Sequence, residues 1–504
     1  MPRRATRSHQ APSADISTVL AEKFQETMRR LFRPCFPQER TYARFAEIMI
    51  SILAGEGPKT ITSTVFLRSK DQGDWSNDYK VFSTSPWEPE DLFKRVLGAT
   101  IQFLPNENEP IVLAIDDTCH WRWSKKVPGT AWHHDALGPK FFGKGSGMPP
   151  LKWGHQMLHA VLMIPPVLGY APTAIPVAYE PILGIPKKKK KKTQASGEPV
   201  KRGRPKGFKP SETLVPDSSI AQIKTPPKAT EQALAVIKRV RSWLDDFGLQ
   251  ERDLMVVVDA SYCNGTVLRN LPKRTEIIGR TREDACLYAP IAQKQGKQIY
   301  GDRIPTPKQI SQDTNIPHET RVFKFGGDQY QFRWKEANPV LWKNGSKSRP
   351  LRLLVTLPVP HGRRSNRGYR KYGYLLTTKL DGDSGPLLQA YLWRIEIENL
   401  HRIFKTTLGM GQTQCLSSSP KIFASIAATW AVFSLVSRSV GGEVRGDQQP
   451  VLSKWQANKR RWREETRLRQ GRPMPKYRPT AMDNITMLRS GLGFHWKNGV
   501  LRKA

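Results

Sequence analysis

Residues 111–118 read Ile-Val-Leu-Ala-Ile-Asp-Asp-Thr, five apolar residues in a row followed by two acids and a threonine. A short, unbroken apolar run of this kind predicts a strand buried on both faces. Residues 254–259, Leu-Met-Val-Val-Val-Asp, repeat the pattern. A carboxylate at the end of a buried strand is held rigidly at the edge of a sheet. Asp116, Asp117 and Asp259 are therefore candidates for chemistry, although any one of them alone also reads as a turn or helix-cap residue. Further strand-like runs cover about 157–164, 172–179 and 275–279. Residues 230–247 predict a helix, with Ala233, Val236, Ile237, Val240, Trp243, Leu244 and Phe247 on one face and Gly248 at the C-terminal stop. Three strands, a helix and a further strand predict a mixed α/β sheet with one crossover.

Upstream of this region, Phe45, Ile48, Met49, Ile52 and Leu53 recur at helical spacing up to Gly55-Glu56-Gly57-Pro58, and Thr60 stands where it caps a second helix carrying Ile61 and Val65. A helix, a glycine turn and a helix fit a DNA-binding helix-turn-helix or a plain helical hairpin packed on its neighbours. Downstream, an insert at about 187–220 holds six consecutive lysines, Lys187 to Lys192, and then Lys201-Arg202-Gly203-Arg204-Pro205-Lys206-Gly207. Such a segment cannot bury a core and is expected to be a mobile loop. Arg202 and Arg204 around Gly203 resemble a hook that lies in a narrow A·T-rich minor groove, with an indiscriminate phosphate-binding linker as the alternative. Residues 283–380 mix turns with β-rich pieces such as Val322 to Phe325 and Leu351 to Leu357. Residues 384–410 return to a helical pattern, 421–438 form an apolar helix, and the tail beyond 454 is basic. His133-His134-Asp135 has no further ligand at metal spacing and reads as a polar loop.

Lys and Arg number 81 against 44 Asp and Glu, a net +37 spread along 504 residues. A surface this basic attracts a polyanion and gains from counterion release, so nucleic acid is the expected partner. The length implies two or three domains of about 150 residues. No run of about 18 apolar residues is present, so no membrane span is expected, and the N-terminus lacks the apolar core of a signal peptide. Five scattered cysteines without a CxxC pair argue against a zinc site and for a reducing compartment.

Within 384–410, Tyr391, Arg394, Glu398 and Lys405 stand at relative positions 0, 3, 7 and 14. At about 100° per residue they fall within about 60° of one another on one helix face. Two cations and a phenol around one carboxylate suit a phosphate backbone held beside a metal-bound acid. A solvated face with an ordinary i,i+4 ion pair between Arg394 and Glu398 is the competing reading. Two strand-end acids plus Glu398 suffice to hold two Mg²⁺ ions about 3.5–4 Å apart, one at the attacking and one at the leaving oxygen.

Tyr-x₂-Arg-x₃-Glu-x₆-Lys, matched here without departure in spacing, resembles the signature of a large group of bacterial insertion-sequence transposases of the DDE class. Ala114 to Thr118 resembles that group's first-Asp motif, and Val256 to Tyr262 its second. Gly279-Arg280-Thr281-Arg282 with Asp284-Ala285 is similar to the stretch that follows. The resemblance covers roughly 40–440. It implies a ribonuclease-H-like core: a mixed α/β sheet flanked by helices, with a β-rich insertion and an all-α N-terminal domain. The expected division is a disordered basic N-terminus at 1–17, a helical DNA-binding domain at 18–108, the first part of the core at 109–282, the β-rich insertion at 283–380, core helices carrying the Glu at 381–440, and a basic tail at 441–504.

The resemblance also implies roles. Asp117, Asp259 and Glu398 bind the catalytic metals, with Asp117 preferred because it directly precedes Thr118 and Asp116 the alternative. Tyr391, Arg394 and Lys405 grip the phosphate at the element's end, and Arg280 and Arg282 are further DNA contacts. Trp334, in the insertion, is the candidate for trapping a flipped base. Two Mg²⁺ ions, replaceable by Mn²⁺, serve hydrolysis at the end and then attack of the freed 3′-hydroxyl on a phosphodiester. The implied partners are double-stranded DNA, as transposon end and target, and further copies of the chain, in the cytoplasm with the nucleoid. The alternatives are a domesticated or inactive derivative that only binds DNA, and a nuclease that cuts without transposing.

Overall fold

The apolar run at 111–115 opens a strand twice as long as expected, β1 (Ile111–Trp121), and its first five residues are buried. The computed structural model describes residues 16–70, 73–122, 127, 129–134, 151–166, 172–183, 227–291, 298–325, 328–358, 372–413, 419–443, 465, 481–497 and 500–503. The basic insert with Lys187 to Lys192, Arg202 and Arg204 lies outside them, as does Asp135.

Among the described residues, five α-helices precede β1: α1 (Ile16–Phe32), α2 (Glu39–Ala54), α3 (Ile61–Leu67), α4 (Ser76–Ser83) and α5 (Pro89–Thr100). Then come β2 (Ala131–His134), β3 (Leu151–Ile164), β4 (Thr173–Ile182), α6 (Ala229–Asp246), β5 (Leu254–Val258), α7 (Gly265–Leu268) and β6 (Thr275–Arg280). The insertion supplies β7 (Tyr288–Pro290), β8 (Tyr300–Arg303), α8 (Pro307–Gln312), β9 (Glu319–Phe325), β10 (Asp328–Leu341), β11 (Pro350–Thr356) and β12 (Gly373–Thr377). The chain continues with α9 (Ser384–Trp393), α10 (Ile395–Thr406), α11 (Ser419–Glu443), α12 (Ala481–Gly491), β13 (Phe494–Lys497) and β14 (Val500–Lys503).

Among the described residues, twelve strands form one sheet in the order β2-β3-β1-β5-β6-β12-β11-β10-β7-β8, with β4 also on β3 and β9 also on β10. β1 runs antiparallel to β3 but parallel to β5, which is parallel to β6. A parallel neighbour requires a crossover, and α6 provides it, packed on β3 and β4. Neighbouring residues on a strand point to opposite faces. On β4, Tyr179 meets Phe404 of α10, while Glu180 pairs with Arg239 of α6. Helices thus cover both faces, and the mixed sheet fits a ribonuclease-H-like fold. The β-rich insertion is continuous with this sheet, since β12 pairs with β6 at Leu376 and Gly279.

The N-terminal helices share the core of the sheet. Phe24 of α1 packs edge-on against Phe433 of α11, ring centroids 5.6 Å apart, and α5 lies on both α11 and β4. Thr60 caps α3 through Ser63 N–H at 3.0 Å, as expected, but α3 is two turns long and buries Ile61, Thr64, Val65 and Leu67. Within the basic C-terminal tail, α12 packs on α1 and α2, and β14 meets α3.

Residues Ser419–Val440 of α11 are long and apolar enough to cross a membrane, and 89% of the relevant window is buried inside the protein, against α1, α2, α5 and β4. The sequence reading placed an apolar helix at 421–438 but no membrane span, because hydroxyl residues interrupt its apolar run. In the helix they donate back to backbone carbonyls, Ser425 Oγ to Lys421 O at 2.7 Å and Ser434 Oγ to Trp430 O at 2.8 Å.

Phe433→Ala removes a ring from this shared core and is expected to cost about 3–5 kcal/mol. Amide exchange should then accelerate in α1 and in β4 together. Acceleration confined to the helices would show that they unfold apart from the sheet.

Candidate active site

The parallel register of β1 and β5 sets Ile115 opposite Val258, so the next residues in each chain, Asp116 and Asp259, emerge side by side at the ends of buried runs. Paired residues on adjacent strands share a face. Asp116 pairs with His159 of β3, and the His159 ring packs on His401 and Phe404 of α10, at centroid distances of 5.1 and 5.4 Å. Asp116 therefore faces the helix that carries Glu398. Asp117 pairs with Leu158 and points the other way, where Tyr262 donates its hydroxyl proton to Asp117 Oδ2 at 2.7 Å.

This alternation separates the two candidates for the first acid, and the face opposite Glu398 is the one occupied by Asp117, the residue preferred on sequence. Arg394 joins strand and helix: Nη1 donates to Asp116 Oδ2 at 2.9 Å and Nη2 to Glu398 Oε1 at 2.6 Å. The expected single helix over 384–410 is broken there, because α9 ends at Trp393, α10 begins at Ile395 and Arg394 is the joint. Tyr391, on α9, keeps its place beside Arg394, whose charge acts on its phenol.

Burial pushes the Asp116 carboxyl up to about 7, against the pull of Arg394 and the Asp117 backbone N–H, and the neighbouring Asp259 and Asp117 add to the rise. Burial alone would lower the Arg394 guanidinium, but Tyr391, Asp116, Glu398 and Asp259 around it hold it above its ordinary value. All three acids of the Asp116, Asp259 and Glu398 set thus lie within electrostatic reach of one guanidinium. Asp259 accepts from Ser261 N–H at 2.9 Å within its own turn.

Lys405 is exposed on α10, and Arg280 is exposed at the end of β6. Burial raises the Tyr391 phenol, while the charges of Arg394 and Arg280 draw it down, so Arg280 belongs to the same neighbourhood. Arg282 stands at the surface, its guanidinium bonded to both carboxylate oxygens of Asp284 at 2.9 Å. His133 is on β2, and burial lowers its imidazole.

Trp334 does not fit the base-trapping role. It is 1% exposed, and its indole N–H donates to Ser384 Oγ and Glu336 Oε1, each at 2.9 Å. Ser384 is the first residue of α9, so the insertion holds the start of the helix that leads to the site. Asp383 completes this anchor, capping α9 through Gly385 N–H at 2.9 Å and pairing with Arg321 of β9 at 2.6 Å.

Beneath α10 lies a histidine cluster that the sequence reading passed over. His159 and His120 are held well below their ordinary pKa by burial, and burial takes His401 down to about 3. His120 bonds the Tyr179 hydroxyl, and its ring packs on Phe423 of α11 at 4.8 Å. The available signal was His401 three residues beyond Glu398, on the inner side of the helix. Tyr262 had one too, three residues past Asp259 in the turn that follows β5.

Among the described residues, no three His, Cys, Asp or Glu side chains are gathered as a ready metal cage. The donors nevertheless suit a hard divalent cation, being all carboxylate oxygens. Asp116 is a buried acid that keeps its proton to about pH 7, as a group does when the cations around it are too few for its burial.

The folded protein holds the Asp116 proton to about pH 7, whereas the ordinary value is 3.8. Between those values the folded state binds the extra proton, so stability declines as pH rises from about 4 to 7 and stays at its lower level above. Asp116→Asn, a neutral mimic of the protonated acid, should therefore melt above the parent at pH 8 without added metal and lose that advantage at pH 5. A variant that melts lower at both pH values would contradict this account.

No curated protein matches the chain. Residues 32–164 match the family model described as DDE superfamily endonuclease. The matched stretch runs from the end of α1 through β3 and contains Asp116 and Asp117, while Asp259 and Glu398 lie beyond it. Over that stretch the chain is similar to the endonucleases of the DDE superfamily.

Proposed function

We propose that this chain is a DNA-cutting enzyme of the transposase type, in which Asp116, Asp259 and Glu398 hold the catalytic divalent cations. The observation that carries the reading is the double bond of Arg394 to Asp116 on β1 and Glu398 on α10. It draws residues 282 positions apart to one point, where Asp259 also lies within reach of the same guanidinium. Asp116 takes the place first given to Asp117 because it faces α10, whereas Asp117 is engaged by Tyr262 on the far side. The family match over residues 32–164 supports the same class of chemistry.

Bound Mg²⁺, with Mn²⁺ as its substitute, supplies charge stabilisation at the attacking and leaving oxygens of an in-line phosphodiester displacement. The chain's own residues position the substrate. Arg394, Lys405 and Arg280 present cations towards a phosphate backbone, and Tyr391 adds a phenolic hydroxyl beside them. The net +37 supplies the longer-range attraction. The reaction is hydrolysis of one strand at an element's end, then attack of the freed 3′-hydroxyl on target DNA, carried out by an assembly of copies on paired ends. Arg202 and Arg204 act as an additional DNA contact.

Glu398→Gln is expected to lower Mg²⁺-dependent nicking of duplex DNA by at least about 10³-fold while retaining DNA binding. Asp116→Asn should do the same, and Asp117→Asn should retain more activity than Asp116→Asn. Full cleavage by Glu398→Gln would overturn the assignment. Loss of cleavage in Asp117→Asn alone, with Asp116→Asn active, would return the first acid to Asp117.

A further inference from the structure

Arg394 occupies an unusual position for a residue proposed to grip DNA. Its two terminal nitrogens are committed to two carboxylates of the protein, Asp116 at 2.9 Å and Glu398 at 2.6 Å. Its side chain is only 15% exposed, against 46% for Glu398. The carboxylates it engages are those assigned to the metal, and Asp259 adds to the negative charge around it. Each terminal nitrogen keeps a second N–H, but a DNA phosphate bound there while both acids stayed in place would crowd three anionic groups around one positive charge that is largely buried. A divalent cation drawn to the same carboxylates also meets a like charge already seated there.

We propose that Arg394 is an exchangeable counter-ion that couples metal loading to DNA binding. Without DNA, its guanidinium neutralises Asp116 and Glu398 and competes with divalent cations for them. When DNA arrives, a phosphate takes the guanidinium, and the two carboxylates are released to the metal. Tyr391 stands three residues before Arg394 at the end of α9, close enough for the two groups to influence each other's charge. The placement of Arg394 at the joint between α9 and α10 puts the exchange at the point where strand, helix and substrate meet. Such coupling is reciprocal: if DNA tightens metal binding, metal tightens DNA binding by the same factor. The device keeps the nuclease poorly loaded until a duplex is in place.

This inference rests on the metal-site reading above, and its test separates the two. Mn²⁺ binding to the full chain is measured by the loss of the free-ion paramagnetic resonance signal, and binding of a labelled duplex is followed by anisotropy in EDTA and in Ca²⁺. The parent should bind duplex about tenfold tighter in Ca²⁺ than in EDTA. Arg394→Gln should bind Mn²⁺ without DNA about five- to tenfold tighter than the parent and show equal duplex affinity in Ca²⁺ and EDTA. Lys405→Gln removes a cation from the same helix and controls for simple charge loss: its duplex affinity should still respond to Ca²⁺. Arg394→Lys, which keeps the charge but cannot fork to both acids, should fall between parent and Gln and provides a second variant if Arg394→Gln does not fold. Mn²⁺ binding that is unchanged or weaker in Arg394→Gln, or a parent whose duplex affinity ignores Ca²⁺, would overturn the coupling alone. Absence of Mn²⁺ binding in both proteins, with and without duplex, would overturn the metal-site reading and the coupling with it.

Discussion

β1 and β5 lie side by side as parallel strands, and this pairing governs what the rest of the molecule has to accommodate. Both strands are buried in a sheet covered by helices on two faces, so they are apolar up to Ile115 and Val258. The next residue in each is an acid. Asp116 cannot reach bulk water easily, and a lone carboxylate in that position is costly. A cation or a proton must meet it, and the fold supplies Arg394 from the joint between two helices. The position of the acid and its ionic partner both follow from putting a charge directly after a buried run of strand.

The surroundings of that charge are arranged to keep α10 in place. On its inner side, His159 and His401 stack with Phe404 against the sheet, and burial keeps these imidazoles neutral. Neutral histidines fill the space without adding positive charge beneath Asp116. At the entry to α9, Trp334, Glu336 and Arg352 of the insertion form a bonded group with Ser384. On the exit side, Arg122 at the end of β1 donates to Gly411 O and Thr413 O at 2.9 and 2.6 Å, just beyond α10. Strand and helix are thus tied at both ends of the segment that carries Arg394 and Glu398.

Trp334 shows how a residue read as functional becomes architectural once its neighbours are known. An aromatic side chain in a β-rich insertion is equally suited to stacking on a base and to filling the interior, and only burial distinguishes the two. The same reasoning applies to α11. Its apolar composition meets the length of a membrane span, yet its surface is taken up by the N-terminal helices and β4.

Much of the fold was legible in local pattern. Continuous apolar runs marked β1 and β5, amphipathic spacing marked α6 almost to the residue, and Thr60 marked the start of α3, because these depend on contacts within a few residues of chain. The stripe of Tyr391, Arg394, Glu398 and Lys405 was also visible, although the break at Arg394 was not. What the linear pattern left open was the choice between Asp116 and Asp117. Both follow the buried run of the same strand, and they differ only in the face to which they point. That face acquires meaning only when α10, distant in sequence, settles over β1 and β3 and brings Arg394 to Asp116. The sequence by itself determined which residues are strands, helices and acids, because local sterics and burial period decide these. Tertiary structure alone decided which of the two acids shares Arg394 with Glu398, because that depends on which face of the sheet the helix covers.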